Sequence, residues 1–346
     1  MAIDNWDFYY FCKMNTVYHL LRLNRFIRNR SVKKFGIFVL HLLGGRYLAV
    51  FLDPVLACNL RCKMCYFSDP EYRKRAKGML NPDDLPKMAH AFFRRTLKLQ
   101  IGCGAEPSLF PHNTALIRLA KQYKIPYIAM TTNGNLFTDR DLHDFAEAGL
   151  NEITLSLHGV TRESYEYFMT GGSFDAFCKT MAILTEIKKA YPHFKVRVNY
   201  TVNQDNMKEL SLFFDVFGNY AIDILQIRPI QKIGASEYHS FSWDELYRSY
   251  DEVIKKVRDD SRRYGVVCIA PEKEDLQNVG GDESVVEATY CYISPQYVWR
   301  EDFDLDKETY QSYSKRTKRS KMLFNNIFKK DTSAIDNHKR LNYSIQ

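Results

Sequence analysis

The sequence predicts an α/β fold in which a parallel sheet curves into an open, partial (β/α)6 barrel, with an extension at each end. Six short apolar runs rich in β-forming residues alternate with five segments of helical periodicity between residues 47 and 230. Such alternation is typical of parallel strands joined by right-handed helical crossovers. Six units are too few for the common eight-stranded barrel, so we expect the barrel to stay open.

The strands are expected where β-branched and aromatic residues are concentrated between turn signals. They are YLAVFLDP (47–54), LKLQIGCG (97–104), IPYIAMTTNG (125–134), NEITLSLHG (151–159), FKVRVNYTV (194–202) and AIDILQIRPI (221–230). Polar loop segments, most of them containing glycine, follow the first four strands. Because the chemistry of β/α folds collects at the carboxyl ends of the strands, these loops predict a functional site on one rim.

The intervening segments are expected to form the helices. They are NPDDLPKMAHAFFRRT, NTALIRLAKQYK, DRDLHDFAEAGL, SFDAFCKTMAILTEIKKAY and NMKELSLFFDVFG. Several begin with Asn, Asp or Ser, the residues that most often cap a helix N-terminus. Residues 243–264 are predicted as one more helix, and VVCIA (266–270) is a candidate for a further strand.

Changes in composition predict three regions: a basic helical N-terminal extension (1–46), the barrel core (47–270) and a less patterned C-terminal extension (271–346). The net charge is +8, and the excess is densest in residues 22–34 and 315–330. Either patch could contact nucleic acid, anionic lipid or an acidic substrate. Solvated faces of terminal helices explain both patches more simply, because neither carries a recognised nucleic-acid motif.

The sequence gives no indication of a membrane protein. The most apolar run, IFVLHLLGGRYLAVF, contains a His, two Gly and an Arg, and a span needs about 20 mostly apolar residues. The N-terminus lacks the pattern of a secretory signal. Eight cysteines, three of them close together, suit metal chemistry in a reducing compartment better than a disulfide scaffold. We therefore expect a soluble, cytoplasmic protein without a transmembrane segment.

The segment ACNLRCKMCYFSD (57–69) places Cys58, Cys62 and Cys65 at offsets of four and three, with no fourth cysteine nearby. Structural zinc sites require four ligands and commonly use two Cys-x-x-Cys pairs, but only the pair Cys62 and Cys65 is present. An iron–sulfur cubane held by three thiolates fits this count, because it leaves one iron without a protein ligand. A small molecule with a chelating amino and carboxylate group could occupy that iron.

With GAEP (104–107) after the second strand, TNG (132–134) after the third and SLHG (156–159) after the fourth, the chain resembles the radical SAM superfamily over residues 47 to about 235. The resemblance implies a partial TIM-like barrel, a [4Fe-4S] cluster on the three cysteines and S-adenosylmethionine (SAM) at the open iron. Two positions depart from the family pattern: Met64 replaces an aromatic residue, and Ala105 replaces the second glycine of GGEP.

The resemblance also implies roles for the loop residues. Glu106 is the expected partner of the SAM ammonium, because a carboxylate gives it a charge-assisted hydrogen bond. Gly104 and Ala105 are expected to offer carbonyls to the same ammonium, and Pro107 fixes the backbone after them. The candidates for the ribose hydroxyls and the methionyl carboxylate are Asn133, Ser156 and Asn199. Arg228 is a candidate for the SAM carboxylate or a substrate anion, and no residue is assigned a catalytic role.

Each of these side chains also has a purely structural interpretation. Glu106 could be an N-cap or a surface carboxylate, and Asn133 could support a left-handed turn. Ser156 and Asn199 could be ordinary polar residues at strand ends. Arg228 could form a structural ion pair. Both interpretations stay open on the sequence alone.

Four further residues are weaker candidates. His158, where the family often has a carboxylate, could titrate beside the substrate or simply hydrogen-bond its loop. Cys103 could be a substrate-facing thiol or a buried small apolar residue. Cys268 and Cys291 lack the Cys-x-x-Cys neighbours of auxiliary clusters and are expected to be structural, which predicts a single cluster.

The leading hypothesis is an enzyme that reductively cleaves SAM to a 5'-deoxyadenosyl radical, which abstracts hydrogen from an unidentified small-molecule or peptide substrate. A low-potential donor such as flavodoxin or ferredoxin would supply the electron. One alternative is a non-catalytic iron–sulfur or zinc protein that retains the fold. Another is an RNA-modifying enzyme that uses the basic termini, although a nucleic-acid partner is not favoured.

Overall fold

The computed structural model describes residues 29–231, 234–276 and 283–328, and its centre is one sheet of nine strands. The strands are β1 (Leu48–Leu52), β2 (Thr96–Ile101), β3 (Tyr127–Thr132), β4 (Glu152–Leu157), β5 (Lys195–Val202), β6 (Ile224–Pro229), β7 (Val267–Ile269), β8 (Tyr290–Ser294) and β9 (Tyr297–Val298). Their order across the sheet is β7-β6-β5-β4-β3-β2-β1-β8-β9. Neighbouring strands are parallel, except that β9 returns antiparallel to β8.

Twelve α-helices lie in the described ranges. They are α1 (Arg30–Leu42), α2 (Pro70–Arg75), α3 (Leu85–Met88), α4 (Asn113–Gln122), α5 (Asp139–Ala148), α6 (Arg162–Phe168), α7 (Phe174–Ala190), α8 (Phe213–Phe217), α9 (Trp243–Tyr264), α10 (Glu283–Thr289), α11 (Tyr310–Arg316) and α12 (Arg319–Phe328). Ser173 caps α7 through its hydroxyl, as the sequence predicts. The cap of α5 is Thr138 rather than the predicted Asp139, because Thr138 and Asp141 form a reciprocal capping box.

The predicted α/β partial barrel is confirmed, with a longer sheet than the sequence indicates. The six predicted strands are β1 to β6, and the candidate strand at 266–270 is β7. The two ends of the sheet, β7 and β9, are not joined by strand pairing. The helices that connect successive strands pack on the outer face, where buried aliphatic and aromatic residues form one large core. The barrel is therefore open, and its inner face is left to line a cavity.

The C-terminal region contributes to the sheet itself. Strand β8 pairs in parallel with β1, from Ala49 opposite Tyr290 to Leu52 opposite Ile293. The sheet therefore continues past the proposed domain boundary at residue 271, and both proposed boundaries remain proposals.

The two extensions lie against each other. Helices α1 and α12 are in contact through Phe38 and Phe324, whose ring centroids are 5.4 Å apart, and through the Ser31 hydroxyl, which donates to the Ile327 carbonyl. Part of each basic patch, 22–28 and 329–330, lies outside the described residues. None of the helices in the described ranges is both long enough and apolar enough to cross a membrane.

Candidate cofactor site

One cavity of about 610 Å³ runs along the inner face of the sheet to the carboxyl ends of the strands. It brings together almost every residue that the sequence singles out. The predicted residues that line it are Cys58, Cys62, Cys65, Gly104, Ala105, Glu106, Asn133, Ser156, Asn199 and Arg228. Pro107 is the exception, because it is buried behind the loop as the first residue of a short 3-10 turn.

The loop that carries the three cysteines is held by backbone hydrogen bonds to its neighbours. The amide of Arg61 donates to the carbonyl of Thr170 at 2.8 Å, and the amide of Lys63 donates to the carbonyl of Phe168 at 2.9 Å. The side-chain amide of Asn133 donates to Asn59 at 2.8 Å. The loop is therefore fixed from the β3 and β4 sides, which sets the positions of the thiols before any ligand binds.

The three thiols are free and face the cavity. Burial, followed by the charge of Glu106, raises the pKa of Cys58 to about 12, and burial raises that of Cys65 to about 11. Backbone amides of Leu60 and Phe67 point at the sulfurs of Cys58 and Cys65 at 3.4 and 3.5 Å. Thiolates in this environment need a compensating positive charge, which bound metal ions supply.

The arrangement differs from a site for one ion. In the ranges that the structure describes, no three His, Cys, Asp or Glu side chains are arranged to hold a single metal ion. A cubane offers a separate iron to each thiolate, so its ligands lie farther apart than those of a mononuclear site. The donor set of three thiols without a fourth side chain therefore fits a cluster better than zinc.

Glu106 is a buried carboxylate with a dense set of donors. Its Oε1 accepts from the Thr132 hydroxyl at 2.6 Å and from the Ser108 amide at 3.0 Å, and its Oε2 accepts from the Asn133 amide at 2.8 Å. Burial raises its pKa, and these hydrogen bonds counteract the rise. Glu106 caps the 3-10 turn Pro107–Leu109 and also faces the cavity, so the structural and functional interpretations of this residue are compatible.

The backbone of the Glu106 loop is fixed by residues that the sequence analysis missed. The buried carboxylate of Asp53 accepts from the amides of Cys103 at 2.6 Å and Gly104 at 3.1 Å, and from the Tyr292 hydroxyl at 2.9 Å. The Tyr66 hydroxyl donates to the carbonyl of Gly104. That carbonyl, expected to face SAM, therefore already has one protein partner and keeps its second lone pair.

Gly102 is required where β2 meets this loop. Its φ is +69°, and a Cβ there would lie 2.4 Å from the carbonyl oxygen of Thr131 and 2.8 Å from Pro107 Cδ. No other residue fits both the left-handed conformation and the space. The glycine before Cys103 in GCG was the signal for this turn.

The polar candidate side chains on β3 to β6 differ in how many of their hydrogen-bonding groups already have a protein partner. Asn133 is largely used by the protein, since its side chain accepts from the Asn135 amide and donates to Asn59. The Oδ1 of Asn199 is buried without a hydrogen-bond partner in the described structure. Ser156 and Asn199 are neighbours in the register of β4 and β5. Among these candidates, Asn199 is therefore the one that has a buried oxygen without a protein partner.

His158 and Met64 also line the cavity. Burial, followed by the charge of Arg228, lowers the pKa of His158 to about 4, so the ring is neutral near pH 7. Its Nδ1 has no hydrogen-bond partner in the described structure. Met64 packs with Phe168 and Ile230 and forms an apolar wall in the place of the expected aromatic residue.

The remaining cysteines separate into two kinds. Cys103 lines the cavity, and its thiol lies 3.5 Å from the carbonyl of Gln100. Cys268 is on β7 and Cys291 on β8, with six strands between them in the sheet. The two thiols therefore lie far apart in the sheet, and their structural role stays a prediction.

A ladder of polar side chains on the inner face of the strands also escaped the sequence analysis. Its main members are Lys98, Gln100, Glu152, Thr154, Arg197 and Gln226. Alternating polar residues in KLQ, EITLS and KVRVN were the available signal, because central strands of parallel sheets are usually apolar on both faces. The alternation indicates an inner face that meets polar ligands or water.

Solved structures support the fold. The structure superposes on Streptococcus suis SuiB bound to S-adenosylmethionine with a TM-score of 0.55 and 16% identity, covering 72% of this chain and 59% of that chain. It superposes on anSMEcpe with bound AdoMet with a TM-score of 0.52 and 17% identity, covering 64% of this chain and 63% of that one. At these identities the likeness is one of fold.

Curated relatives align with the same part of the chain. A probable GTP 3',8-cyclase of Saccharolobus solfataricus is 26% identical over 204 residues, which is 58% of this chain and 62% of that protein. The corresponding protein of Sulfurisphaera tokodaii is 23% identical over 202 residues, with the same two coverages. The alignment thus spans less than two thirds of these relatives.

The profile of the radical SAM superfamily matches residues 53–210. This range contains the three cysteines, the Glu106 loop and the strands from β2 to β5. A [4Fe-4S] cluster and SAM are the cofactors of that family. Taken together with the open barrel and the relatives above, this match supports membership of the radical SAM superfamily.

Proposed function

We propose that this protein binds a [4Fe-4S] cluster and SAM in the inner cavity and uses them to abstract hydrogen from a small-molecule or peptide substrate. The observation that supports this most strongly is the convergence of the three thiols, the Glu106 carboxylate and the polar residues of β4 to β6 on one cavity. A structural metal knuckle would give no reason for this convergence.

When bound, the cluster and SAM supply a low-potential electron and a 5'-deoxyadenosyl radical. The chain positions them. Cys58, Cys62 and Cys65 would each hold one iron of the cluster. Glu106, oriented by its own hydrogen bonds, would accept from the SAM ammonium, and Asn199 Oδ1 would accept from a ribose hydroxyl.

Other residues shape and close the site. Met64 and Ile230 provide an apolar surface for the adenine, since both line the cavity and pack together. Tyr66, Phe67 and Tyr72 pack in tilted and edge-to-face pairs beside the cysteine loop, with ring centroids 4.5 to 5.3 Å apart. Their packing limits the access of water to the thiols from that side.

The proposal defines the substrate only by class, as a small molecule or a peptide. The curated relatives are named for a reaction of GTP, so GTP is a first compound to assay. Because the alignment spans only 62% of their length, GTP is not assigned as the substrate. SuiB has been solved bound to its precursor peptide SuiA, which keeps peptides in the assay panel. A flavodoxin or ferredoxin donor and a cytoplasmic location stay predictions.

The test is anaerobic reconstitution followed by analysis for iron, sulfide, zinc and 5'-deoxyadenosine. We expect about four irons and four sulfides per chain, and 5'-deoxyadenosine after dithionite is added. Cys62→Ala is expected to remove both the intact cluster and SAM cleavage. Cys178→Ala is the matched control, since Cys178 lies on α7 and does not line the cavity.

One zinc per chain would contradict the proposal and support the non-catalytic alternative. Full SAM cleavage by Cys62→Ala would contradict it as well. The RNA-modifying alternative requires RNA binding that weakens steeply with salt, and an absence of binding at low salt would remove it.

A further inference from the structure

The deeper part of the cavity is lined by the polar ladder rather than by the loops at the rim. Lys98 lies three residues before the last residue of β2, Ile101, whereas Glu106 follows that residue by five. At about 3.3 Å per residue, Lys98 is therefore roughly 10 Å below the end of the strand. The cavity continues beyond the rim residues proposed to bind SAM.

The one carboxylate of the ladder is fully engaged by its neighbours. Arg197 donates to both oxygens of Glu152, at 2.9 and 3.0 Å, in a bidentate ion pair. The Tyr127 hydroxyl donates to Glu152 Oε2 at 2.7 Å. Arg197 also donates to Gln226 at 2.9 Å. This network commits both oxygens of Glu152 to Arg197, although the charge of Glu152 still acts on Lys98.

Lys98 is different, because no hydrogen bond or ion pair joins its ammonium to any residue that the structure describes. Its Nζ lies 5.8 Å from the centroid of the Tyr127 ring. Burial lowers the pKa of Lys98, and the charge of Glu152 partly offsets this. A buried ammonium without a hydrogen-bonded anion is unfavourable, and an anionic ligand would relieve that cost.

Lys98 also stands where a small molecule can reach it. On one side, register places it opposite Ala49 of β1 and Tyr127 of β3. Beyond β1, Thr289 and Tyr290 line the same cavity. The polar ladder around the ammonium carries two cations, Lys98 and Arg197, against one carboxylate, Glu152, so its net charge favours an incoming anion.

We propose that the deep end of the cavity binds an anionic group of the substrate, a carboxylate or a phosphate, and that Lys98 is the residue that recognises it. This rests on the proposed function, in which SAM takes the rim of the cavity. The substrate class is then a small acid whose charged end lies at Lys98 and whose remainder points towards SAM.

The test is calorimetric titration of the anaerobically reconstituted, SAM-loaded protein. One arm uses inorganic phosphate and pyrophosphate, and the other uses acetate and succinate, so the two sources of negative charge are distinguished. We expect saturable binding in one arm. Lys98→Met and Lys98→Gln should each weaken it at least 10-fold, because a charge-assisted hydrogen bond is lost, whereas Lys98→Arg should weaken it less.

Lys255→Met is the matched control, because Lys255 is exposed on α9 and has no contact with the cavity. It should bind like the wild type. No binding of either anion class by the wild type would overturn the proposal. Equal affinity of the wild type and both uncharged variants for the anion would overturn it as well. Thermal unfolding shows whether the variants are folded.

The outcome can be separated from that of the proposed function. Iron content and SAM cleavage are measured on the same wild-type preparation. If the protein cleaves SAM but binds neither anion, only the proposal of an anion site is contradicted. Protein without a cluster would sink the proposed function, while Lys98-dependent anion binding would still be readable in that preparation.

Discussion

At the scale of single residues, Glu106 is held in place by the same groups that make it a ligand. Three donors from Thr132, Ser108 and Asn133 fix its carboxylate at the ends of β2 and β3. Oε1 already accepts two of these hydrogen bonds, whereas Oε2 accepts one and can accept another. The carboxylate is therefore preorganised towards the cavity, which reduces the entropic cost of binding a cation there.

We expect Glu106→Gln to weaken SAM binding by about 10-fold to 100-fold, since a hydrogen bond to a charged group contributes about 1.5–3 kcal/mol. Equilibrium dialysis of SAM against the reconstituted protein measures this. Iron content should be unchanged, because no cysteine is altered. Glu147→Gln, an exposed position on α5, is the control. An unchanged dissociation constant for Glu106→Gln would contradict the assigned role.

At the scale of elements, strand β8 supports the site from the far end of the chain. Tyr292 on β8 donates to Asp53, and Asp53 in turn accepts from the amides of Cys103 and Gly104. Burial raises the pKa of Asp53, and these donors counteract it. The C-terminal region is thus part of the framework that positions the Glu106 loop.

We expect Tyr292→Phe to lower the free energy of unfolding by about 1–3 kcal/mol, because a buried carboxylate loses one hydrogen bond. SAM binding should weaken several-fold, since the loop loses a support. Urea denaturation and dialysis measure the two effects. Tyr264→Phe, on an exposed face of α9, is the control. If Tyr292→Phe matched the wild type in both measurements, β8 would have no part in positioning the loop.

The elements also show what the sequence could predict and what it could not. Strands β1 to β6 were predictable because each is a compact β-rich run between turn signals. Strand β8 could not be predicted in the same way. Its partner β1 lies about 240 positions earlier in the chain, and the five-residue segment YCYIS does not indicate which strand it pairs with. The rim residues followed from their place after strands, whereas Asp53 and Lys98 depend on three-dimensional neighbours.

At the scale of the whole molecule, the two extensions are packed together through a buried polar contact. His41 of α1 is hydrogen-bonded through Nδ1 to the Tyr47 hydroxyl at 2.7 Å and through Nε2 to Ser320 at 3.0 Å. Tyr47 in turn contacts the hydroxyl of Tyr310, which accepts from Arg319 at 2.7 Å. The contact between the two extensions therefore contains a buried histidine that is hydrogen-bonded at both ring nitrogens.

We expect acidification to destabilise this contact. Burial, with the charges of Arg95 and Arg319, lowers the pKa of His41 from 6.5 to about 4. Between these values the unfolded chain binds more protons than the folded one, so the free energy of unfolding falls as the pH falls. From pH 7 to pH 5 the contribution of His41 is roughly 2 kcal/mol.

Urea denaturation at pH 7 and pH 5 measures the effect. His41→Asn should show a smaller loss between the two pH values than the wild type, whatever its stability at pH 7. His193→Asn, at an exposed position, should keep the wild-type loss. An equal loss in the wild type and His41→Asn would show that His41 is not held neutral.

The central claim is that the three thiols hold a cubane with one iron open to SAM. Electron paramagnetic resonance of the dithionite-reduced, anaerobically reconstituted protein, recorded with and without SAM, tests it most directly. The account predicts a [4Fe-4S] signal whose g-values change when SAM is added. No cubane signal, or a signal that SAM leaves unchanged, would contradict it.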